Sequence, residues 1–140
     1  MEKSKQLLQK IKTSKVQVPA AVTPRYKLPV SLRTPRGERY YAQAKSKGVT
    51  RPLLDEPRIK EWQYWALIDN DFPYSGAFKV HHMLIPKRVV GRKDLNQHEL
   101  TELDSIVDDL SEEYDCYLIN FAKKQSIKNH YHIHFLIYIR

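Results

Sequence analysis

The sequence predicts an α+β domain in which a mostly antiparallel sheet packs against one helix, preceded by a basic, proline-containing N-terminal extension. The order of predicted elements is strand, strand, helix, strand, strand, without the alternation of strands and helices that builds a parallel sheet. Charge divides the chain: residues 1–60 carry 15 Lys or Arg and 4 Asp or Glu, whereas residues 61–140 carry 9 and 12. We therefore expect an extension over 1–60 and a folded domain over 61–140.

Length and composition limit the class of protein. A chain of 140 residues suffices for one domain with a core. The longest apolar runs, 64–68 and 135–139, are too short to cross a bilayer, and the first residues do not resemble a secretory signal. Cys116 is the only cysteine, so no disulfide can form within the chain. We expect a cytoplasmic protein without membrane contact.

The extension has its own pattern. Residues 3–15 are lysine-rich and spaced for a short amphipathic helix, whereas prolines through 16–36 favour extended backbone. A second short helix is predicted over 38–46, ended by Gly48. The positive charge makes nucleic acid or an acidic protein a candidate partner, and a solvated, loosely ordered arm is the alternative.

The domain begins with two predicted strands. Residues 62–68 are rich in aromatic and apolar side chains, and the turn-forming residues of 69–76 end that strand. Residues 80–85 form the second strand, which Pro86 closes. The sequence therefore predicts a pair of neighbouring strands joined by a short connection.

One helix and two further strands follow. Apolar residues recur every three or four positions and so share one helix face: Leu100, Leu103, Ile106, Val107, Leu110 and Tyr114. Asp94 or Asn96 can cap the start of this helix, with Gln97 or Glu99 as the reciprocal partner. Strands are predicted over 116–120 and 131–139, with a polar loop over 121–128 between them.

The last strand carries a row of histidines. Because alternate side chains of a strand point to opposite faces, His130, His132 and His134 are expected to share one face. The opposite face is apolar and can cover the helix; its residues are Tyr131, Ile133, Phe135 and Ile137. A half-exposed polar sheet face would explain one or two histidines better than three.

Two chemical interpretations of the row remain. Imidazole is a common metal ligand, but three such positions span about 13 Å, whereas one ion needs its ligands within about 2 Å. At most two of the three could hold the same ion. The other interpretation is nucleophilic catalysis on a phosphate, in which one neutral imidazole attacks phosphorus and its neighbours stabilise charge or move a proton.

The segment 130–136, with histidines alternating with apolar residues, resembles the motif of the histidine-triad family. Upstream, residues 81–88 are similar to the family's first block, a histidine followed by an apolar strand and Pro-Lys. The predicted helix and the strand at 116–120 lie between the two blocks in the family's order. The resemblance covers residues 62–140 and not the first sixty.

The resemblance implies roles for the histidines. His132 matches the nucleophile that attacks the α-phosphate. His134 matches the residue that contacts the phosphate and assists the leaving group, and His130 matches the residue that supports the nucleophile. His81 matches the family's upstream phosphate-site histidine, which leaves its neighbour His82 pointing to the other face.

Polar residues outside the triad are also implied. Asn120 and Ser126 resemble the family's phosphate-binding residues. The family's glycine is missing from the loop, and Ser126 stands one residue farther from the triad than usual, so Asn129 is an alternative for part of its role. Asn70 lies where the family meets the ribose hydroxyls, and its alternative role is that of a turn residue.

The resemblance implies a hydrolase or nucleotidyl transferase that acts at the α-phosphate of a nucleotide through a nucleotidyl-histidine intermediate on His132. Phosphoramidates, dinucleoside polyphosphates and adenylylated ends are the implied substrates, without a metal or other cofactor. A homodimer is also implied. The alternatives are a non-catalytic module that binds a nucleotide or nucleic acid, and a histidine-based metal site.

Overall fold

The computed structural model describes residues 32–48, 51–125, 127 and 129–140. The predicted N-terminal helix over 3–15, most of the proline-containing stretch and Ser126 lie outside the described residues. Among the described helices, the longest has 14 residues, and none has the length and apolar character needed to cross a bilayer.

A five-stranded antiparallel sheet organises the domain. Its strands are β1 (Arg58–Glu61), β2 (Trp65–Asp69), β3 (Phe78–Pro86), β4 (Cys116–Leu118) and β5 (Ile133–Tyr138). Their order across the sheet is β1-β2-β3-β5-β4, and every neighbouring pair is antiparallel. Together with a helix packed on one face, this arrangement confirms the predicted fold class.

The strand predicted over 62–68 begins only at Trp65, because residues 62–64 form the turn of a hairpin. The backbone N–H of Trp62 donates to the carbonyl of Trp65 across 2.8 Å, and so closes the turn between β1 and β2. All four residues of β1 are exposed, so this edge strand lacks the alternation of apolar and polar residues that marks a half-buried strand. The sheet thus begins at Arg58, within the segment predicted as extension.

Helix α1 (Pro35–Ser46) also begins earlier than predicted. The Thr34 hydroxyl accepts a hydrogen bond from the Gly37 N–H, and Pro35 occupies the first turn, where its missing N–H has no helical partner to lose. Pro35 therefore starts a helix instead of prolonging the extended stretch. Gly48, with φ of 68°, follows the helix end as predicted.

Helix α2 (Gln97–Leu110) has the predicted capping box. The Asn96 side chain accepts from the Glu99 N–H, and the Glu99 carboxylate accepts from the Asn96 N–H, both at 2.9 Å. Arg88 donates to both oxygens of the same carboxylate, at 2.6 and 3.1 Å. The helix ends at Leu110, so Tyr114, predicted to lie on its apolar face, belongs to the following turn.

The two faces of the sheet have different neighbours. One face packs against α2 in a core that includes Tyr131, Ile133 and Phe135, which confirms the predicted apolar face of the last strand. A smaller cluster lies on the other face and consists of Leu53, Ala66, Ile68, Met83 and Ile85. Since Met83 lies opposite His134 in the pairing of β3 with β5, the histidine row belongs to this second face.

Candidate active site

The three triad histidines lie at the start of β5 and just before it. His130, His132 and His134 are 4%, 3% and 4% exposed, so the interpretation as a half-exposed polar face is wrong. Only His134 belongs to the strand, which begins at Ile133 and is shorter than predicted. The reason is that the chain has already left the sheet at Tyr131, whose N–H donates to the carbonyl of Val90 at 2.8 Å.

The hydrogen bond of His132 fixes which of its ring nitrogens carries the proton. Its Nδ1 lies 2.9 Å from the backbone carbonyl of His130, and a carbonyl can only accept, so Nδ1 carries the hydrogen. In the neutral ring, Nε2 then keeps its lone pair. The described residues offer Nε2 no hydrogen bond, and the side chain lines a pocket, so this nitrogen is available to an electrophile.

A second chain of hydrogen bonds orients His81 and His134. The backbone N–H of Tyr74 donates to His81 Nδ1 at 2.9 Å, which places the His81 proton on Nε2. That Nε2 lies 2.7 Å from His134 Nδ1, which must then accept and leaves the His134 proton on Nε2. His134 therefore has a donor directed away from His81.

His130 and His82 serve other contacts. His130 Nε2 donates to the carbonyl of Pro86 at 2.9 Å. This bond anchors His130, whose backbone carbonyl accepts the hydrogen bond from His132 Nδ1. His82 points to the α2 side of the sheet, as the alternation predicts, and its Nδ1 lies 2.5 Å from the Tyr114 hydroxyl. The site thus includes His81 and not its neighbour.

Burial keeps the site's imidazoles neutral. Burial lowers the pKa of His132, and the hydrogen bond to the His130 carbonyl only partly opposes this effect. Burial, together with positive charge on neighbouring rings and on Arg33, lowers the pKa of His81 and of His134 to about 3. Nucleophilic attack requires an unprotonated ring, so the environment favours the reactive form of His132 at neutral pH.

Acidification is expected to destabilise the fold already between pH 7.5 and 5.5. Histidines of the unfolded chain bind protons below their ordinary pKa of 6.5, whereas folded His81 and His134 resist protonation until about pH 3. The unfolded state therefore gains protons as pH falls, and the free energy of unfolding decreases. Urea unfolding at both pH values measures this decrease in the free energy of unfolding, and H134N should show a smaller decrease than the wild type.

The control is H98N, a substitution at the exposed His98, which should show the wild-type decrease. A decrease in H134N equal to that of the wild type would contradict the lowered pKa of His134.

Asn120 and Asn70 both reach this network. Asn120 Nδ2 lies 3.3 Å from the Tyr74 hydroxyl and 3.5 Å from His134 Nε2, and its backbone carbonyl accepts from Gln125 at 2.9 Å. Asn70 Oδ1 accepts from the Phe72 N–H at 2.8 Å, which is the contact of a turn residue. Its Nδ2 lies 3.1 Å from His81 Nε2. The structure therefore brings both predicted asparagines close to His81 and His134.

Two further residues reach the site, and no sequence motif marks either of them. The ring of Tyr74 lies 4.4 Å from that of His81 and 5.1 Å from that of His134, between ring centroids. The guanidinium of Arg33 lies 5.2 Å from the centroid of the Tyr74 ring, and its Nε donates to the Phe72 carbonyl at 2.8 Å. Arg33 lies far upstream in the predicted extension, and only the fold brings it here.

A pocket of about 340 Å³ opens beside the triad. His132 and His134 form one part of its wall, and apolar side chains such as Leu53 and Met83 form another. Three basic and three acidic residues complete the lining: Arg33, Lys45, Arg51, Glu56, Asp69 and Asp71. A pocket with apolar walls and a few convergent polar groups is the usual form of a small-molecule site.

The metal interpretation finds no matching arrangement in the part of the chain that the structure describes. No group of three or more His, Cys, Asp or Glu is placed to hold an ion there. The short hydrogen bond between His81 and His134 also uses ring nitrogens that a metal would need.

Comparisons with known proteins concern the fold. No family model and no curated protein matches the chain. A HIT family hydrolase from Legionella pneumophila Philadelphia 1 has 16% identity and a TM-score of 0.47, over 66% of this chain and 87% of that one. A histidine triad protein from Clostridium difficile has 12% identity and a TM-score of 0.45, over 71% and 90%. The structure of HTC1 has 16% identity and a TM-score of 0.46, over 97% and 84%.

Proposed function

We propose that this chain is a histidine-triad protein that hydrolyses or transfers nucleotides at the α-phosphate. The observation that carries the proposal is the unprotonated Nε2 of His132, a residue of the pocket wall; among the described residues this nitrogen has no hydrogen-bond partner. A buried histidine with a purely structural role would have both ring nitrogens in hydrogen bonds, as the network of His81 does.

The proposed first step forms a bond between His132 Nε2 and the α-phosphorus. The bond from phosphorus to the leaving group breaks, and the leaving group departs with the electron pair and takes up a proton. The ring becomes positively charged, and the His130 carbonyl stabilises that charge by accepting from Nδ1–H. His134 Nε2–H is the proposed hydrogen-bond donor to a phosphoryl oxygen, and the proton that the leaving group takes up comes from solvent.

The second step returns the enzyme to its starting form. Water attacks the phosphorus, the phosphorus–nitrogen bond breaks, and its electron pair returns to His132 Nε2. A nucleoside monophosphate and one proton leave. Another nucleophile in place of water would give transfer instead of hydrolysis.

Supporting roles follow from the same geometry. We assign a phosphate contact to Asn120, which lies beside His134, and a nucleoside contact to Asn70 on the pocket wall. His81, predicted to bind the phosphate, has both ring nitrogens in hydrogen bonds, so we assign to it the orientation of His134. Ser126 keeps its predicted phosphate role, outside the described residues. The implied homodimer and the contact of residues 1–60 with nucleic acid also stay predictions.

A module that binds a nucleotide without turnover is the second candidate. Arg33 and Lys45 on the pocket wall favour it, because they suit an anionic ligand whether or not the ligand reacts. Catalysis and mere binding differ in one respect: only catalysis needs the lone pair on His132 Nε2.

Hydrolysis of nucleoside 5′-phosphoramidates, followed by phosphorus NMR, tests the proposal. We expect the monophosphate to accumulate with the full chain and not with H132N, although H132N still binds the monophosphate in calorimetry. Binding by both proteins without any product from either would favour the non-catalytic module and would contradict the proposal.

A further inference from the structure

A buried carboxylate in the pocket has one oxygen without a partner. Glu56 is 8% exposed, and its Oε1 accepts from Arg51 Nε at 2.9 Å. Its Oε2 has no hydrogen bond and is the one such buried side-chain atom among the described residues. Buried polar atoms nearly always have partners, and Glu56 lines the pocket, so its unpaired acceptor indicates a ligand that supplies the donor.

The surroundings hold Glu56 in place. It follows the short helical turn Leu53–Asp55, and its backbone N–H donates to the Leu53 carbonyl at 3.1 Å. Arg51 also contacts Asp71 at 3.3 Å and so lies between two acidic groups. Burial raises the pKa of Glu56 and the neighbouring Asp71 carboxylate adds to this increase, whereas the hydrogen bond and positive charge of Arg51 oppose it only in part.

The rest of the pocket suits a flat, largely apolar group. Leu53, Met83 and Phe72 line it together with Glu56. His132 and His134 line the same pocket. In a nucleotide whose phosphate meets the histidines, the base is the part that needs apolar contact. Glu56 is therefore available to the polar edge of a base.

The common bases differ in what they offer to a carboxylate. Guanine presents two adjacent donors, N1–H and the N2 amino group, on one edge. Adenine has an acceptor at N1 beside its amino group, and cytosine has an acceptor at N3, so each would face the anion with a lone pair. Uracil has a single N–H between two carbonyl oxygens. A carboxylate fits guanine, because only guanine satisfies it without opposing an acceptor to it.

We propose that Glu56 reads the base edge and makes the pocket selective for guanine nucleotides. This inference rests on the proposed function and adds to it the class of nucleotide. Selectivity arises because guanine donates a hydrogen bond to the unpaired Oε2. Adenine leaves that oxygen unpaired and places the lone pair of its N1 against the carboxylate, which repels it.

Calorimetric titration of the full chain with GMP, IMP and AMP at pH 8 tests the inference, since alkaline pH favours the ionised carboxyl. We expect GMP to bind at least about ten-fold more tightly than AMP. IMP, which lacks the N2 amino group, should lie between them. In E56Q the amide can donate to adenine N1, so the ratio of the two affinities should fall to within about three-fold.

The matched control is E61Q, the same substitution at an exposed glutamate that pairs with Arg58 outside the pocket lining. It should keep the wild-type preference. Equal binding of GMP and AMP by the wild type, or an unchanged preference in E56Q, would overturn the guanine inference and leave the proposed function intact. Failure of all three nucleotides to bind would contradict both. If E56Q does not fold, the order of the wild-type affinities for GMP, IMP and AMP still tests the guanine inference.

Discussion

Replacement of His132 by asparagine is expected to lower kcat by at least about 1,000-fold. The asparagine amide can still donate to the His130 carbonyl, but it has no lone pair in place of Nε2. The loss should therefore appear in kcat and not in nucleotide affinity. Steady-state kinetics with a phosphoramidate substrate, together with calorimetric binding of the product, measure the two separately.

The control for this substitution is H98N, at an exposed histidine whose ring stacks on Tyr64 at 5.9 Å. It should change kcat less than about two-fold, as expected for a surface substitution. Retention of more than about a tenth of the wild-type kcat by H132N would contradict the assignment of His132 as nucleophile.

Truncation of Leu84 to alanine is expected to lower the free energy of unfolding by about 2–5 kcal/mol. Leu84 is fully buried on β3 and contributes to the core against α2, so the substitution removes apolar contacts and leaves a cavity. Chemical denaturation measures the change.

V89A is the matched control, because Val89 is 57% exposed and loses little burial when truncated. We expect it to change stability by less than about 0.5 kcal/mol. A cost below about 1 kcal/mol for L84A would contradict the placement of Leu84 in the core.

Local periodicity made part of the fold predictable. The capping box of Asn96 and Glu99 lies within four residues, so the sequence contains both partners. The alternation of Ile133, His134 and Phe135 likewise separates the two faces of β5 by a rule of adjacent positions. In these two cases the rule depends only on neighbours along the chain, and the prediction agrees with the structure.

Other features depend on contacts that no local pattern records. β1 pairs as an exposed edge strand, so its residues need no alternation, and no local pattern marks the hairpin turn at Trp62. Arg33 and Glu56 reach the pocket from segments without any motif. The proton positions on the histidines follow from backbone partners, namely the His130 carbonyl and the Tyr74 N–H, which only a structure supplies.

Capture of the covalent intermediate tests the central claim most directly. The full chain is mixed with a nucleoside phosphoramidate labelled at the α-phosphorus, quenched with base within the first turnover, digested and analysed by mass spectrometry. The account predicts a nucleotidyl group on the peptide that contains His132, and its absence in H132N. Product formation by the wild type with no label on His132, or with label on another residue, would contradict it.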